Sequence, residues 1–307
     1  MFSSRKLYTR RKGFTIVELL VVISIVGLVV ALLGPAVEQT REVARQKKCA
    51  DNLRQIGVAV QSYVSHSGQF PAAYMRVPKS HGWTSFTLPY LPGGEAIHPQ
   101  YDFSVHWCDS ANAQAIQTHI PVFECPAAGG KRVSQGTIER CEEPYTGAVL
   151  DYLACNRVSP AVVSRGWLPE STNVKGMFSR DEWCRPSDVT DGLSNTLLIA
   201  EAAGVPSLYV FRDKQPHPMY GNRGFGAWAD GAPYFQAHGH QPDGRNWPGP
   251  CTINCTNDDA VYSFHNGGAQ FLFADGQVRF LSEQLDLFVL LAIFTRANGE
   301  VISSYDY

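Results

Sequence analysis

The stretch Arg11-Lys12-Gly13-Phe14-Thr-Ile-Val-Glu18-Leu-Leu-Val-Val-Ile23 decides how this chain is organised, because a basic segment is followed at once by an apolar one. The 19 residues from Leu19 to Val37 carry no charge. A helix over the 24 residues that begin at Phe14 would be about 36 Å long, enough to cross a hydrocarbon core of about 30 Å. The sequence therefore predicts a membrane-spanning helix over residues 14–37.

Charge is distributed unevenly on either side of this helix. The whole chain has 307 residues and a net charge of −2, which excludes a generally basic, nucleic-acid-binding protein. Residues 1–13 contain five basic residues and no acidic one, whereas the remaining chain has 21 basic and 28 acidic residues. Basic residues before a span stay on the cytoplasmic side. We therefore expect a single-pass protein with a cytoplasmic amino terminus and an exported remainder.

Glu18 is the unusual residue of the apolar segment. A carboxylate within a membrane helix costs about 2.5–3.5 kcal/mol at the bilayer centre, so it needs a partner. Cleavage between Gly13 and Phe14 would supply one, the new α-amino group of a neighbouring subunit. An ordinary signal peptide is the alternative, but its apolar core has about 7–15 residues, fewer than are found here. A plain membrane anchor would leave Glu18 without an explanation.

The segment resembles the class III signal of type IV pilins and type II secretion pseudopilins. In that family a prepilin peptidase cuts after the glycine, here Gly13, and N-methylates the new first residue, here Phe14. The fifth mature residue is a glutamate, here Glu18. The resemblance implies a structural subunit of a type II secretion or type IV pilus-like assembly in the bacterial inner membrane. Its partners would be prepilin peptidase, the lipid bilayer and other pilin-like subunits, in a homo- or hetero-oligomer.

The rest of the chain continues this helix and then changes character. Charged residues from Glu38 onward and an apolar stripe that becomes stronger from Leu53 predict a helical stem, which ends near Ser65–Gly68. We divide the chain into a leader (1–13), a transmembrane helix (14–37), a periplasmic stem (38–67) and a globular α+β domain (68–307).

A second, narrower resemblance extends over almost all of the exported chain. It is to the pilin-like family called domain of unknown function 1559, and it implies a long amino-terminal helix packed on an antiparallel β-sheet with long loop insertions. The segments that carry it are Cys49–Tyr63, Trp83–Leu91, Phe123–Pro126, Asp151–Asn156, Asp191–Glu201 and His265–Gly276.

Two β-strands and a helix are predicted near the carboxy terminus. Gln270–Phe273 and Gln277–Leu281 form a hairpin around Asp275-Gly276, because Asp-Gly supplies the positive φ that a tight turn requires. The residues that follow predict a helix capped by Ser282.

Several polar side chains are candidate metal or ligand sites. His265 and Asp275 would share a site only if the hairpin brought them together; the turn alone would explain Asp275. His238 and His240 lie on a Gly-rich loop near acidic residues, an arrangement that suits a transition metal but is more often solvated. The Asp191–Asn195 and Asn254–Asp259 segments offer oxygen atoms that Ca²⁺ accepts, although such clusters usually form turns. We expect no cofactor, with Ca²⁺ as the exception to test.

Eight cysteines are typical of an exported domain with disulfides. Connectivity does not follow from the sequence, since eight cysteines allow about 105 pairings. Cys251 and Cys255 would close a short loop or hold Zn²⁺. Because Cys49 and Cys125 belong to the family segments, a bridge between stem and globular part is the first pairing that the resemblance implies.

Enzymatic motifs are absent from the sequence. It contains no Gly-x-Ser-x-Gly, His-Glu-x-x-His or phosphate-loop pattern, so we expect no catalytic activity. Two alternatives to a structural subunit are open: a membrane-anchored periplasmic module that binds a glycan or metal through its His- and Asp-rich loops without polymerising, and an anchored hydrolase.

Overall fold

The computed structural model describes Gly13, residues 15–138, Cys141, residues 143–215 and residues 226–300. Phe14, one of the predicted processing residues, lies outside the described residues, as does the leader up to residue 12. The chain divides into two compact units, Met1–Ala44 and Arg45–Tyr307.

One long helix, α1 (Ile16–Ser67), contributes to both units. Within the first unit it is the one described helix that is long and apolar enough to cross a membrane. It ends where the sequence predicts: Gly68 has a φ of 77° and donates its N–H to the carbonyl of Val64 at 2.7 Å. A left-handed residue after the last turn is a common helix terminus, and glycine adopts it without strain.

The residues of α1 that belong to the second unit are amphipathic. Their buried members recur every three or four positions: Cys49, Ala50, Asn52, Leu53, Ile56, Gly57, Ala59 and Val60. Gln61 donates to the carbonyl of Ala274 at 2.7 Å, and Gly57 lies so close to Leu272 that an added Cβ would be 3.0 Å from its Cδ1 atom. This half of the helix therefore packs against the sheet that contains Leu272.

A five-stranded sheet is the centre of the second unit. Its strands are β5 (Tyr152–Val158), β6 (Leu197–Glu201), β9 (Tyr234–Ala237), β10 (Gly268–Phe273) and β11 (Val278–Ser282), in the spatial order β11-β10-β6-β5-β9. Neighbours are antiparallel except β5 and β9, which run parallel. The α+β, pilin-like prediction is confirmed, with a mixed sheet in place of a purely antiparallel one.

Shorter elements surround the sheet. The remaining strands are β1 (Tyr74–Met75), β2 (His81–Gly82), β3 (Val133–Gly136), β4 (Tyr145–Ala148), β7 (Leu208–Val210) and β8 (Asp213–Gln215). The remaining α-helices are α2 (Trp83–Thr87), α3 (Ala113–Gln117), α4 (Pro160–Ser164) and α5 (Leu287–Phe294). Each of the strand pairs β1–β2, β3–β4 and β7–β8 forms a two-stranded sheet outside the central one.

Both faces of the central sheet are covered. Every residue of β10 is buried; Leu272 belongs to the core cluster that includes α1, and its neighbours Phe271 and Phe273 belong to a second cluster with Leu290 of α5. Successive side chains of a strand point to opposite faces, so α1 and α5 lie on opposite sides of the sheet. This explains why Phe271, Leu272 and Phe273 are all apolar although they point alternately to the two faces.

The carboxy-terminal elements match the prediction in part. The hairpin of β10 and β11 forms, but only Gly276 of its turn has a positive φ, at 91°. The helix cap prediction is wrong: Ser282 pairs with Gly268 in the sheet, and α5 is capped by Asp286, whose carboxylate accepts the N–H of Phe288 at 2.8 Å. Strand pairing extends the hairpin past the residue chosen as the cap.

Candidate functional site

The start of α1 is built by Thr15 and Glu18. The hydroxyl of Thr15 accepts the N–H of Glu18 at 3.2 Å, and the carboxylate of Glu18 accepts the N–H of Thr15 at 2.8 Å and its hydroxyl at 2.7 Å. This reciprocal arrangement is a capping box, which satisfies N–H groups that a helix start leaves unpaired. Glu18 thus has an intramolecular role. The Thr-x-x-Glu pattern before an apolar run is visible in the sequence, although Thr15 is not among the predicted site residues.

The helix that follows exposes apolar side chains and satisfies its own polar groups. Ser24 donates its hydroxyl to the carbonyl of Leu20 at 2.7 Å, and Thr40 donates to Ala36 at 2.8 Å. Because lipid offers no hydrogen-bonding partner, polar groups of a spanning helix must be satisfied internally. The hydroxyl of Ser24, within the predicted span of residues 14–37, meets that requirement.

In the second unit, four buried side chains from distant segments meet at one place. Cys49 of α1 and Cys125 are joined in a disulfide with a Cα–Cα distance of 5.2 Å, the pairing that the family resemblance implies. His265 Nε2 lies 3.7 Å from Cys125 Sγ and 3.5 Å from Glu201 Oε1. All four side chains are buried, and their ligand atoms lie within 4.8 Å of one another.

Among the described residues, these four form the one group of at least three His, Cys, Asp or Glu side chains whose atoms are close enough to hold a metal ion. Cysteine binds a metal as the thiolate, but here both sulfur atoms are bonded to each other. In this state the cluster is a cross-link flanked by a buried imidazole and carboxylate. Glu201 ends one of the segments that carry the family resemblance, although the sequence alone indicates no role for it.

Asp151 positions one half of this disulfide. Its Oδ2 atom accepts the N–H of Cys125 at 2.7 Å, and its Oδ1 atom accepts the N–H of Gly204 at 3.1 Å. Complete burial raises the pKa of Asp151, while the adjacent guanidinium of Arg132 opposes that shift. The carboxylate thereby ties three chain segments together, a role that no local pattern indicates.

Asn52 performs a similar task for α1. Its amide group donates to the carbonyl of Glu124 at 2.9 Å and to the hydroxyl of Tyr152 at 3.3 Å. Tyr152 in turn donates to the carbonyl of Cys49 at 3.4 Å. Hydrogen bonds from Asn52 and to Cys49 therefore hold α1 in place next to the disulfide.

The structure places the two predicted partners His265 and Asp275 in different surroundings. His265 is fully buried beside the disulfide, whereas Asp275 is exposed in the hairpin turn and accepts the N–H of Gln277 at 2.9 Å. The candidate metal-ligating group that contains His265 does not include Asp275. Asp275 therefore acts as the turn residue.

His238 and His240 are buried. The sequence pattern, a His-x-His pair on a Gly-rich loop, predicts solvated side chains instead. Their ring centroids are 4.8 Å apart, and the ring of Trp247 lies 5.7 Å from that of His238. Burial lowers the pKa of His238 to about 3 and also lowers the pKa of His240. The two imidazoles are neutral parts of an aromatic cluster, and neither belongs to a group of three or more ligands among the described residues.

The oxygen atoms considered for Ca²⁺ hold loops together. Asp191 accepts the N–H groups of Asn298 and Gly299 at 2.9 and 2.8 Å. The side-chain oxygen of Asn257 accepts the N–H of Tyr209 at 2.8 Å. These side-chain oxygen atoms therefore accept backbone hydrogen bonds that hold loops together.

The remaining cysteines divide into two disulfides and two thiols. Cys251 and Cys255 are joined, which is the loop-closing alternative, and Cys108 is joined to Cys141, a pairing that the sequence analysis did not propose. Cys155 and Cys184 are buried thiols.

Comparison with known proteins agrees with this architecture. Residues 8–34 match the prokaryotic N-terminal methylation motif, so the chain is a pilin-like protein of the prepilin-processed class. Residues 38–287 match the family described as protein of unknown function DUF1559. The chain belongs to this family. No match was found among curated proteins or among solved structures.

Proposed function

We propose that this protein is a membrane-anchored structural subunit of a pilin-like assembly, a type II secretion pseudopilus or a type IV pilus. A prepilin peptidase would cut the chain after Gly13 and methylate Phe14, which the methylation motif over residues 8–34 supports. The mature helix would then pack laterally against the helices of other subunits, of the same or of a different kind.

The observation that carries the proposal is the exposed apolar surface of the first half of α1. Every described residue from Thr15 to Arg41 is exposed, and Ile16 and Leu32 expose 78% and 67% of their surfaces. Soluble monomers rarely expose apolar patches larger than a few hundred Å². Lipid chains before assembly, and helices of neighbouring subunits after it, would cover this surface.

Glu18 supplies the link between anchoring and assembly. Its carboxylate is held at the first turn of α1 by Thr15, which is one residue from the amino group that cleavage would create. A carboxylate at this depth gains from a cationic partner, and the new terminus of an adjacent subunit provides that charge. The pair would set the axial position of one subunit against the next.

The proposed location follows from charge and cysteine chemistry. The five basic residues of the leader favour a cytoplasmic amino terminus in the inner membrane. Three disulfides in the second unit suit an oxidising compartment such as the periplasm or cell surface. The proposal assigns the protein no enzymatic activity and no cofactor.

Intact-mass spectrometry of protein extracted from membranes tests the processing step. We expect a mature chain that begins at N-methylated Phe14 in wild-type protein and an uncut chain in Gly13→Val, because a β-branched residue replaces the glycine at the cleaved bond. Gly34→Val is the matched control, since an added Cβ meets no atom within 4 Å at either glycine. A wild-type chain that begins at Met1, or after Ala36, would overturn the proposal.

A further inference from the structure

A cavity of about 610 Å³ lies beside the central sheet, away from the disulfide cluster. It is lined by residues of β5, β9 and the segment from Lys175 to Glu182. This segment runs along β5: Gly176 donates its N–H to the carbonyl of Asn156 at 2.9 Å. A Cβ on Gly176 would be 2.7 Å from the carbonyl oxygen of Cys155, so only glycine allows so close an approach. The approach places Ser179 and Arg180 in the same cavity wall as Arg157.

The lining of this cavity carries a positive charge. It contains four cationic side chains and two anionic ones, and both carboxylates already have cationic partners. Asp181 Oδ2 lies 2.6 Å from Arg76 Nε, and Glu182 Oε2 lies 2.7 Å from Lys175 Nζ. Among the described residues, no ion pair involves the other two cations, Arg157 and Arg180.

Two polar groups of the lining are also buried without a hydrogen-bonding partner. They are Nε of Arg157 and the hydroxyl of Ser179, a residue that is 7% exposed. A buried donor without an acceptor lowers the stability of the folded chain. Both groups can donate to the same kind of ligand atom, an oxygen with free lone pairs.

We propose that this cavity binds the oxyanion group of a small polar molecule, a carboxylate, sulfate or phosphate. Arg157 and Ser179 would donate to the oxyanion from the cavity wall, and Arg180 would close over it from the exposed side. A guanidinium matches the planar, two-oxygen edge of such groups. The volume lies within the range of about 300–1,000 Å³ that is typical of small-molecule sites. The site goes beyond the proposed structural role and needs no residue of the anchor.

Tyr234 adds a neutral donor at the rim. Its phenol interacts with Arg180, and burial raises its pKa, so the hydroxyl keeps its proton at neutral pH and can donate to an anion. Gln236, two residues further along β9, lines the same cavity. The Gln236 side chain would contact the uncharged part of the ligand, as expected for a sugar acid or a sugar ester.

Calorimetric titration of the full chain in mild detergent tests the site. The probes are sulfate, phosphate and glucuronate at constant ionic strength, with glucose as the neutral comparison. We expect at least one of the three anions to bind and glucose not to bind. In a second series, in which sodium chloride raises the ionic strength, we expect the affinity for the anion to fall. Binding of glucuronate alone would identify a carboxylate site, and binding of sulfate or phosphate would identify a tetrahedral oxyanion site.

Variants assign the binding to this cavity. Arg157→Gln and Arg180→Gln should each weaken binding about tenfold or more, because each removes a charged hydrogen-bond donor. Arg245→Gln, an exposed arginine outside the cavity, should bind as the wild type does. Arg180 is itself exposed, so its variant tests the site even where Arg157→Gln lowers the melting temperature. No binding of any anion, or unchanged binding in Arg180→Gln, would overturn the proposal.

Discussion

His265 Nε2 lies 3.5 Å from Oε1 of Glu201, and both side chains are closed off from solvent. The sulfur of Cys125 lies 3.7 Å from the same nitrogen. Burying an ionisable pair in the protein interior costs free energy. Removing one partner costs more, because the other side chain then stays buried without its partner. The pair therefore makes the fold sensitive to substitution at a point far from the surface.

We expect Glu201→Ala to lower the free energy of unfolding by about 3 kcal/mol, because it removes the carboxylate that faces His265 and leaves a cavity. It also removes the acceptor of the Gln270 N–H, a bond of 3.2 Å. Denaturant unfolding of the full chain in detergent measures the change. Glu170→Ala, at an exposed position, is the control and should change stability by less than about 0.5 kcal/mol. Equal effects of the two substitutions would contradict the structural role of Glu201.

The disulfides should differ in their contributions to stability. Cys49 and Cys125 are separated by 76 positions, whereas Cys251 and Cys255 are separated by 4. A cross-link restricts the unfolded chain more when it closes a longer loop, so loop-closure entropy predicts about 4 kcal/mol for the first and about 2 kcal/mol for the second. Cys49→Ala/Cys125→Ala should therefore unfold at lower denaturant concentration than Cys251→Ala/Cys255→Ala. The reverse order would show that strain or residual structure outweighs loop length.

Glu18 should be needed for assembly but not for membrane location. Glu18→Ala removes both the helix cap and the charge, whereas Thr15→Ala removes most of the cap and keeps the carboxylate. We expect chemical cross-linking between subunits to be lost in Glu18→Ala. The variant should still be found in the membrane fraction, since the 19 uncharged residues of the span are intact. Thr15→Ala should still form the cross-links, because capping alone contributes only about 0.5–2 kcal/mol. Equal losses in both variants would assign Glu18 to capping alone.

Asp230 should make stability depend on pH. Its side chain is buried, and burial raises its pKa to about 7, while in the unfolded chain this carboxyl loses its proton at about pH 4. Between about pH 4 and pH 7 the folded state holds a proton that the unfolded state has released, so the free energy of unfolding falls as pH rises. This contribution to stability is complete below about pH 4 and is lost as pH rises through the folded pKa.

Asp230→Asn should remove this dependence, because the amide resembles the protonated acid at every pH. The side-chain oxygen of asparagine can also accept the N–H of Ala232, as Oδ1 of Asp230 does at 3.0 Å. We expect the variant to resist denaturant better than the wild type at about pH 8 and to lose that advantage at about pH 4.5. Asp213→Asn, at an exposed position, should differ from the wild type by a similar amount at both values. An advantage of Asp230→Asn that does not change with pH would contradict a buried, titrating carboxyl.

Local features of the fold could be predicted from the sequence. The end of α1 beside Gly68 and the hairpin around Gly276 each depend on a few adjacent residues, and both form as expected. The capping box of Thr15 and Glu18 is equally local and could have been identified from its spacing. The cap of α5 could not, since Ser282 and Asp286 are both good caps and strand pairing decided between them.

The sequence by itself determined the apolar segment, the basic charge before it and the amphipathic stripe after it, because hydropathy, charge and helical periodicity are properties of neighbouring residues. Only the tertiary structure decided the rest. It brought Glu201 to His265 and separated His265 from Asp275. It buried His238 and His240, and it aligned Arg157 with Ser179 in one cavity wall. Such contacts depend on how β5, β6, β9 and β10 pair across long stretches of chain, which local patterns do not encode.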